Sequence, residues 1–278
     1  MSEGERGTGE SNPYAAPLAN VAQPAPEAGI AGLIEGGRKV AAGRGVSWIA
    51  EGFELFKRSP GMWIATMLVF VIGTMIFALI PLVSLALNVL MPVFIGGLLL
   101  GCRAVEQGEP MEVGYIFAGF KDKVGQLALV GVLYMVGVLV IGIGVAVVGG
   151  LGMFGAIAGG MGGPGGSAGP EVTPLFMGAF LIIILVAFAL SLPLVMAIWF
   201  APALVIFHDQ EAVPAMKQSF AGCLKNIMPF LLYGIVAMLL MVVATIPLGL
   251  GWLVLWPTVM GSVYASYRDI FAPYPDAA

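Results

Sequence analysis

Charge is what this chain has least of. Only 10% of its 278 residues are Asp, Glu, Lys or Arg, against 59% hydrophobic. A water-soluble surface needs about a quarter of its residues charged, so lipid must cover most of this one. Cysteine is nearly absent as well: Cys102 and Cys223 are the only two and have no CxxC spacing. That excludes a disulfide scaffold, and both thiols read as small apolar packing residues on the reduced side of a membrane. With one histidine, no GxSxG and no HExxH, neither a nucleophile with its base nor a metal-ligand set is legible. No cofactor and no metal site is expected, and nucleic acid is excluded as a partner. Residues 1–45 lack the apolar core of a signal peptide, so the N-terminus is expected to stay attached.

What the chain does have is long apolar runs. They lie at about Met62 to Ile80, Ser84 to Gly101, Gln126 to Val148, Leu175 to Phe200, Met228 to Ile246 and Gly251 to Ala265. About 20 residues cross a roughly 30 Å hydrocarbon layer as a helix, so each run fits one span. None contains Asp, Glu, Lys, Arg or His. A proton-coupled transporter keeps such a group as a relay, so that class loses weight. The fourth run continues to Phe207, and Pro193 and Pro202 predict a bend that lays its end along the cytoplasmic surface.

All twelve Lys and Arg then fall on one side. Arg6, Arg38, Lys39, Arg44, Lys57 and Arg58 precede span one; Arg103, Lys121 and Lys123 follow span two. Lys217 and Lys225 follow span four, and Arg268 follows span six. Cationic loops stay in the cytoplasm, which predicts that both termini do so. The eight cations flanking the spans, Lys57, Arg58, Arg103, Lys121, Lys123, Lys217, Lys225 and Arg268, are the candidate membrane-interface residues. They would face anionic lipid of the inner leaflet at about 1 kcal/mol each.

Three twelve-residue segments repeat one plan. VSWIAEGFELFK, PMEVGYIFAGFK and PAMKQSFAGCLK end at Lys57, Lys121 and Lys225, and each leads into a span. Ile49, Phe53 and Phe56 stand at i, i+4 and i+7, as do Val113, Phe117 and Phe120; Met216, Phe220 and Leu224 follow i, i+4, i+8. These spacings predict short amphipathic helices lying in the headgroup plane. The predicted fold is therefore all-α and integral to the membrane: six transmembrane helices as three hairpins, each preceded by an interfacial helix. The repeat is pseudo-threefold, with units at about 46–101, 110–200 and 214–268 inside a 46–268 bundle. Residues 1–45 read as a disordered cytoplasmic tail, 149–173 as a glycine-rich periplasmic loop and 269–278 as a cytoplasmic C-terminal tail. Gly97 with Gly101 has the spacing for close helix contact. His208 and Asp209, ending the fourth run, form a candidate functional polar pair.

The stretches FAPALVIFHDQEAVPAMKQSFAGCLKNIMPFLLYG from Phe200 to Gly234, GRKVAAGRGVSWIAEGFELFKRSPGMWI from Gly37 to Ile64, and NPYAAP from Asn12 to Pro17 carry a resemblance. Together they resemble a family of uncharacterised proteobacterial multi-pass inner-membrane proteins. The resemblance implies a membrane protein with no catalytic residues to carry over. In plan alone, the chain is also similar to the membrane-anchor portion of some bacterial glycerophosphodiester phosphodiesterases, whose catalytic domain has no counterpart here. The expected function is a non-enzymatic inner-membrane protein that organises lipid or a protein partner. The alternative is a channel or facilitator for a small neutral solute.

Overall fold

The computed structural model describes residues 32–121, 123–161 and 174–273, and all regular structure among them is helical. The helices are α1 (Arg44–Arg58), α2 (Pro60–Ala78), α3 (Pro81–Glu106), a 3₁₀ helix (Val113–Phe120), α4 (Val124–Met161), α5 (Pro174–Trp199), α6 (Ala201–His208), α7 (Ala212–Lys225), α8 (Ile227–Thr245) and α9 (Trp252–Phe271). Proline punctuates the first hairpin. Ser59 and Ile80 leave helical geometry immediately before Pro60 and Pro81, which open α2 and α3.

Five stretches are long and apolar enough to cross a membrane: Pro60–Ala78, Val83–Glu106, Val124–Gly150, Leu181–His208 and Ile227–Thr245. The sixth expected span lies on α9 and does not qualify. Thr258, Ser262, Ser266, Tyr267 and Asp269 dilute its apolarity, and these residues are buried rather than turned to lipid. A helix enclosed by neighbours can carry polar groups that a lipid-facing helix cannot.

Packing is concentrated at one end. Trp48, Leu99, Leu127, Leu204 and Tyr267 are fully enclosed where α1, the 3₁₀ helix, α6 and α7 gather against the spans. At the opposite end the turns expose Leu79 (82%) and Leu248 (97%). Close approaches through glycine set the inner contacts. A Cβ on Gly52 of α1 would stand 2.2 Å from the carbonyl oxygen of Thr258 in α9, and one on Gly119 would stand 2.1 Å from that of Val93 in α3. Gly97 of the predicted small-residue pair approaches the carbonyl oxygen of Tyr115, and Gly101 approaches Met111.

Each of the three twelve-residue segments contains a helix, the second over Val113–Phe120 alone, and each leads into a membrane-length helix, but the details differ from the expectation. The second is 3₁₀, because Gly114 and Gly119 among aromatic and β-branched neighbours are poor α formers. In α1 the buried face is Gly45, Trp48, Gly52, Leu55 and Phe56, pressed on α8 and α9, while Phe53 points outward. Most of the apolar face is therefore spent on protein contacts rather than lipid.

Other boundaries shift too. Residues 32–43, expected within a free tail, form a strap over α7 and α9: the Ile34 N–H donates to the Phe271 carbonyl at 2.9 Å and the Val40 N–H to Asn226 Oδ1 at 2.8 Å. The glycine-rich stretch from Gly149 continues α4 as helix to Met161; residues 162–173 lie outside the described residues. The C-terminal tail expected from residue 269 begins later, since α9 continues to Phe271.

The fourth run breaks at Phe200. The Ser219 hydroxyl accepts from the Phe200 N–H at 2.9 Å and donates to the Met196 carbonyl at 2.7 Å. It thus inserts into the i→i−4 ladder at the point where Pro202 also lacks a donor. Pro193, by contrast, sits inside α5. In the final piece, α6, Ala201 to Val205 are buried against neighbouring helices.

Candidate functional site at the basic end

The polar side chains of the spans' basic end meet between α1, α3, α6 and α9. Asp269, 6% exposed, is the hub. Its Oδ2 accepts from Arg44 Nε at 2.6 Å and from Trp48 Nε1 at 2.9 Å, while the Arg38 guanidinium donates to its main-chain carbonyl. Arg44 also reaches Glu51 at 2.8 Å. Burial works against the Arg44 charge, yet Asp269 and Glu51 together outweigh it and raise its pKa further.

A second cluster is centred on Glu106 at the end of α3. It accepts from the Tyr264 hydroxyl at 2.7 Å and pairs with Arg268. Arg58 donates to the carbonyls of Val105 (3.2 Å) and Glu106 (3.1 Å), placing a cation at the negative end of α3. Between α1, α3 and α9 these groups surround a pocket of about 210 Å³. Its charged lining is Glu51, Glu54, Arg58, Glu106 and Arg268, and Tyr264 forms part of its wall.

The expected polar pair is not one site. His208 Nε2 lies 2.6 Å from the Tyr267 hydroxyl, whereas Asp209, in a left-handed conformation (φ 54°), turns to Lys123. The eight candidate interface cations divide. Arg103 stands over the Phe207 ring at 5.8 Å, Lys225 donates to the Gly37 carbonyl at 2.9 Å, and Lys57 pairs with Glu54 at 2.7 Å. Lys57, Arg58, Lys121, Lys217 and Lys225 are exposed.

Both cysteines are buried and free. Cys223, against the α5 end, has its thiol pKa pushed up to about 12 by burial. Among the described residues, no three His, Cys, Asp or Glu side chains converge on a point that would hold a metal ion.

Asp269, Glu106, Tyr264 and Tyr267 were not singled out by sequence. A signal was present: Tyr264, Tyr267 and Phe271 stand at i, i+3 and i+7, the spacing of a buried aromatic stripe. Such a stripe would have marked the end of α9 as packed rather than as a tail.

No protein-family model matches the chain, and no solved structure matches it. A probable inner membrane protein of Burkholderia thailandensis is 29% identical over 202 residues, covering 71% of this chain and 73% of that protein. With five apolar helices of spanning length, this likeness makes the chain a multi-pass integral membrane protein.

Proposed function

We propose that this protein is a non-enzymatic component of the bacterial inner membrane that organises anionic lipid or a protein partner at the cytoplasmic face. The observation that carries the reading is the row of exposed cations at the basic end, with Lys57, Lys121 and Lys225 each closing a helical segment that leads into a span. Exposed basic residues at the headgroup level hold anionic lipid at about 1 kcal/mol each.

The reading includes six crossings, with both termini in the cytoplasm. In its support, α9 begins beside the end of α8, where Trp252 Nε1 reaches Thr245 at 3.3 Å, and its far end meets Arg44 and Trp48. A helix of 20 residues covers about 30 Å, enough for one crossing. It also includes the pseudo-threefold plan. The 3₁₀ helix packs chiefly on α3 and α7 chiefly on α5, each the second span of the preceding unit, and α1 closes the circle on α9.

No observation favours a solute path. Trp48, Trp63, Leu99, Phe200 and Leu204 fill the basic end without exposure.

The test replaces Lys121 and Lys217 together by Glu and measures the lipid retained through purification. Retained phosphatidylglycerol and cardiolipin should fall, since two cations supply about 2 kcal/mol. An unchanged lipid complement, with no protein captured by photo-crosslinkers at these two positions, would overturn the reading.

A further inference from the structure

The pocket between α1, α3 and α9 lies at headgroup depth. Arg58 stands two residues before the apolar stretch Pro60–Ala78, and Glu106 ends the stretch Val83–Glu106. Its lining carries both signs, three carboxylates and two guanidiniums, over a volume of about 210 Å³. A purely anionic ligand would meet Glu51, Glu54 and Glu106; a purely cationic one would meet Arg58 and Arg268. A ligand with separated opposite charges satisfies both sets.

Two of the charged groups, Arg58 and Glu54, have capacity to spare. Arg58 uses only Nη1 on the α3 carbonyls, leaving further N–H donors of its fork. Glu54, 63% exposed at its side chain, bonds Lys57 through one oxygen and can accept elsewhere. Leu55 and Ala265 supply apolar wall between the charged groups.

We infer that this pocket holds the headgroup of a zwitterionic aminophospholipid, its phosphate on Arg58 and Arg268 and its primary ammonium on Glu54 and Glu51. The inference rests on the lipid-facing reading of the basic end and deepens it from a charged surface to a selective site. A primary ammonium has three N–H donors for the carboxylates, and its trimethylated counterpart has none. Selection should therefore follow hydrogen bonding and not charge alone.

The experiment titrates the intact protein in detergent with phosphatidylethanolamine, phosphatidylcholine and phosphatidylglycerol of identical chains, read by native mass spectrometry. Phosphatidylethanolamine should bind on the order of ten-fold tighter than the other two, the worth of one charge-assisted hydrogen bond. Glu54→Gln, at an exposed position that folding tolerates, should bring it down to the phosphatidylcholine level. Arg58→Gln should weaken both zwitterionic lipids. Equal affinity for the three lipids, or an ethanolamine preference that survives Glu54→Gln, would overturn the inference. Soluble glycerophosphoethanolamine should bind with the same variant dependence; if it binds while the lipid does not, the membrane source is wrong. The Lys121 and Lys217 double substitution should leave the ethanolamine preference intact, so the surface and the pocket fail separately.

Discussion

Asp269 places one carboxylate oxygen against two donors, Arg44 Nε and Trp48 Nε1, at a depth where water does not compete. Replacing it with Asn keeps the size and removes the charge, leaving Glu51 as the carboxylate paired with Arg44. Breaking an enclosed pair costs 3–5 kcal/mol, but the Arg44 side chain is 35% exposed, so about 2 kcal/mol is expected. The thermal midpoint of Asp269→Asn in detergent should fall by several degrees; an unchanged midpoint would show that the pair does not hold α1 to α9. Cys223 gives a second residue-level expectation. Burial pushes its pKa up to about 12, so far less of it is thiolate at pH 8 than of an unperturbed thiol. In a Cys102→Ala background, maleimide should label unfolded protein quickly and folded protein hardly at all, still slowly at pH 9. Rapid labelling of the folded form at pH 8 would refute the burial.

At the scale of elements, the joint between α5 and α6 is made by a hydroxyl from a third helix. Ser219 of α7 takes the donor and the acceptor that would otherwise have bonded each other, Phe200 N–H and Met196 C=O. Ser219→Ala should cost about 1–2 kcal/mol, because it strands the buried Phe200 N–H and leaves the Met196 carbonyl only the weak Cys223 thiol donor. Ser219→Thr keeps the hydroxyl and should recover part of that loss in the same melting measurement. Proline spacing predicted a bend in this run and Pro202 stands at it, but Pro193 sits inside α5. The difference is physical: a missing N–H permits a break, and a partner for the freed groups decides where it occurs. That partner came from 19 residues further along, which local reading does not see.

For the whole molecule, the contrast between its two ends organises the structure. The basic end is a protein core, and the other end presents Leu79, Ile246 and Leu248 outward, consistent with lipid or an external phase around them. Leu248, in the turn between α8 and α9, tests the six-crossing topology. Leu248→Cys in a background free of Cys102 and Cys223 should react with a membrane-impermeant maleimide added outside intact spheroplasts. A cysteine placed at Ala278, after α9 in the chain, should react only after lysis. Labelling of both positions from the same side would remove the sixth crossing and the C-terminal orientation with it.

The residues themselves were enough to establish a membrane protein, because hydrophobic length and scarcity of charge are local properties that the bilayer reads directly. The three helical segments before spans were legible for the same reason: an i, i+4, i+7 or i, i+4, i+8 stripe needs no partner to be seen. Tertiary structure alone decided which neighbours those stripes meet, that the strap of residues 32–43 is bonded to α7 and α9, and that Asp269 and Glu106 gather opposite charges from helices far apart in sequence. Such contacts depend on which helix lies beside which. Where spanning helices such as α2, α4, α5 and α8 are apolar all round, periodicity does not encode that adjacency; glycine contacts and buried polar partners do.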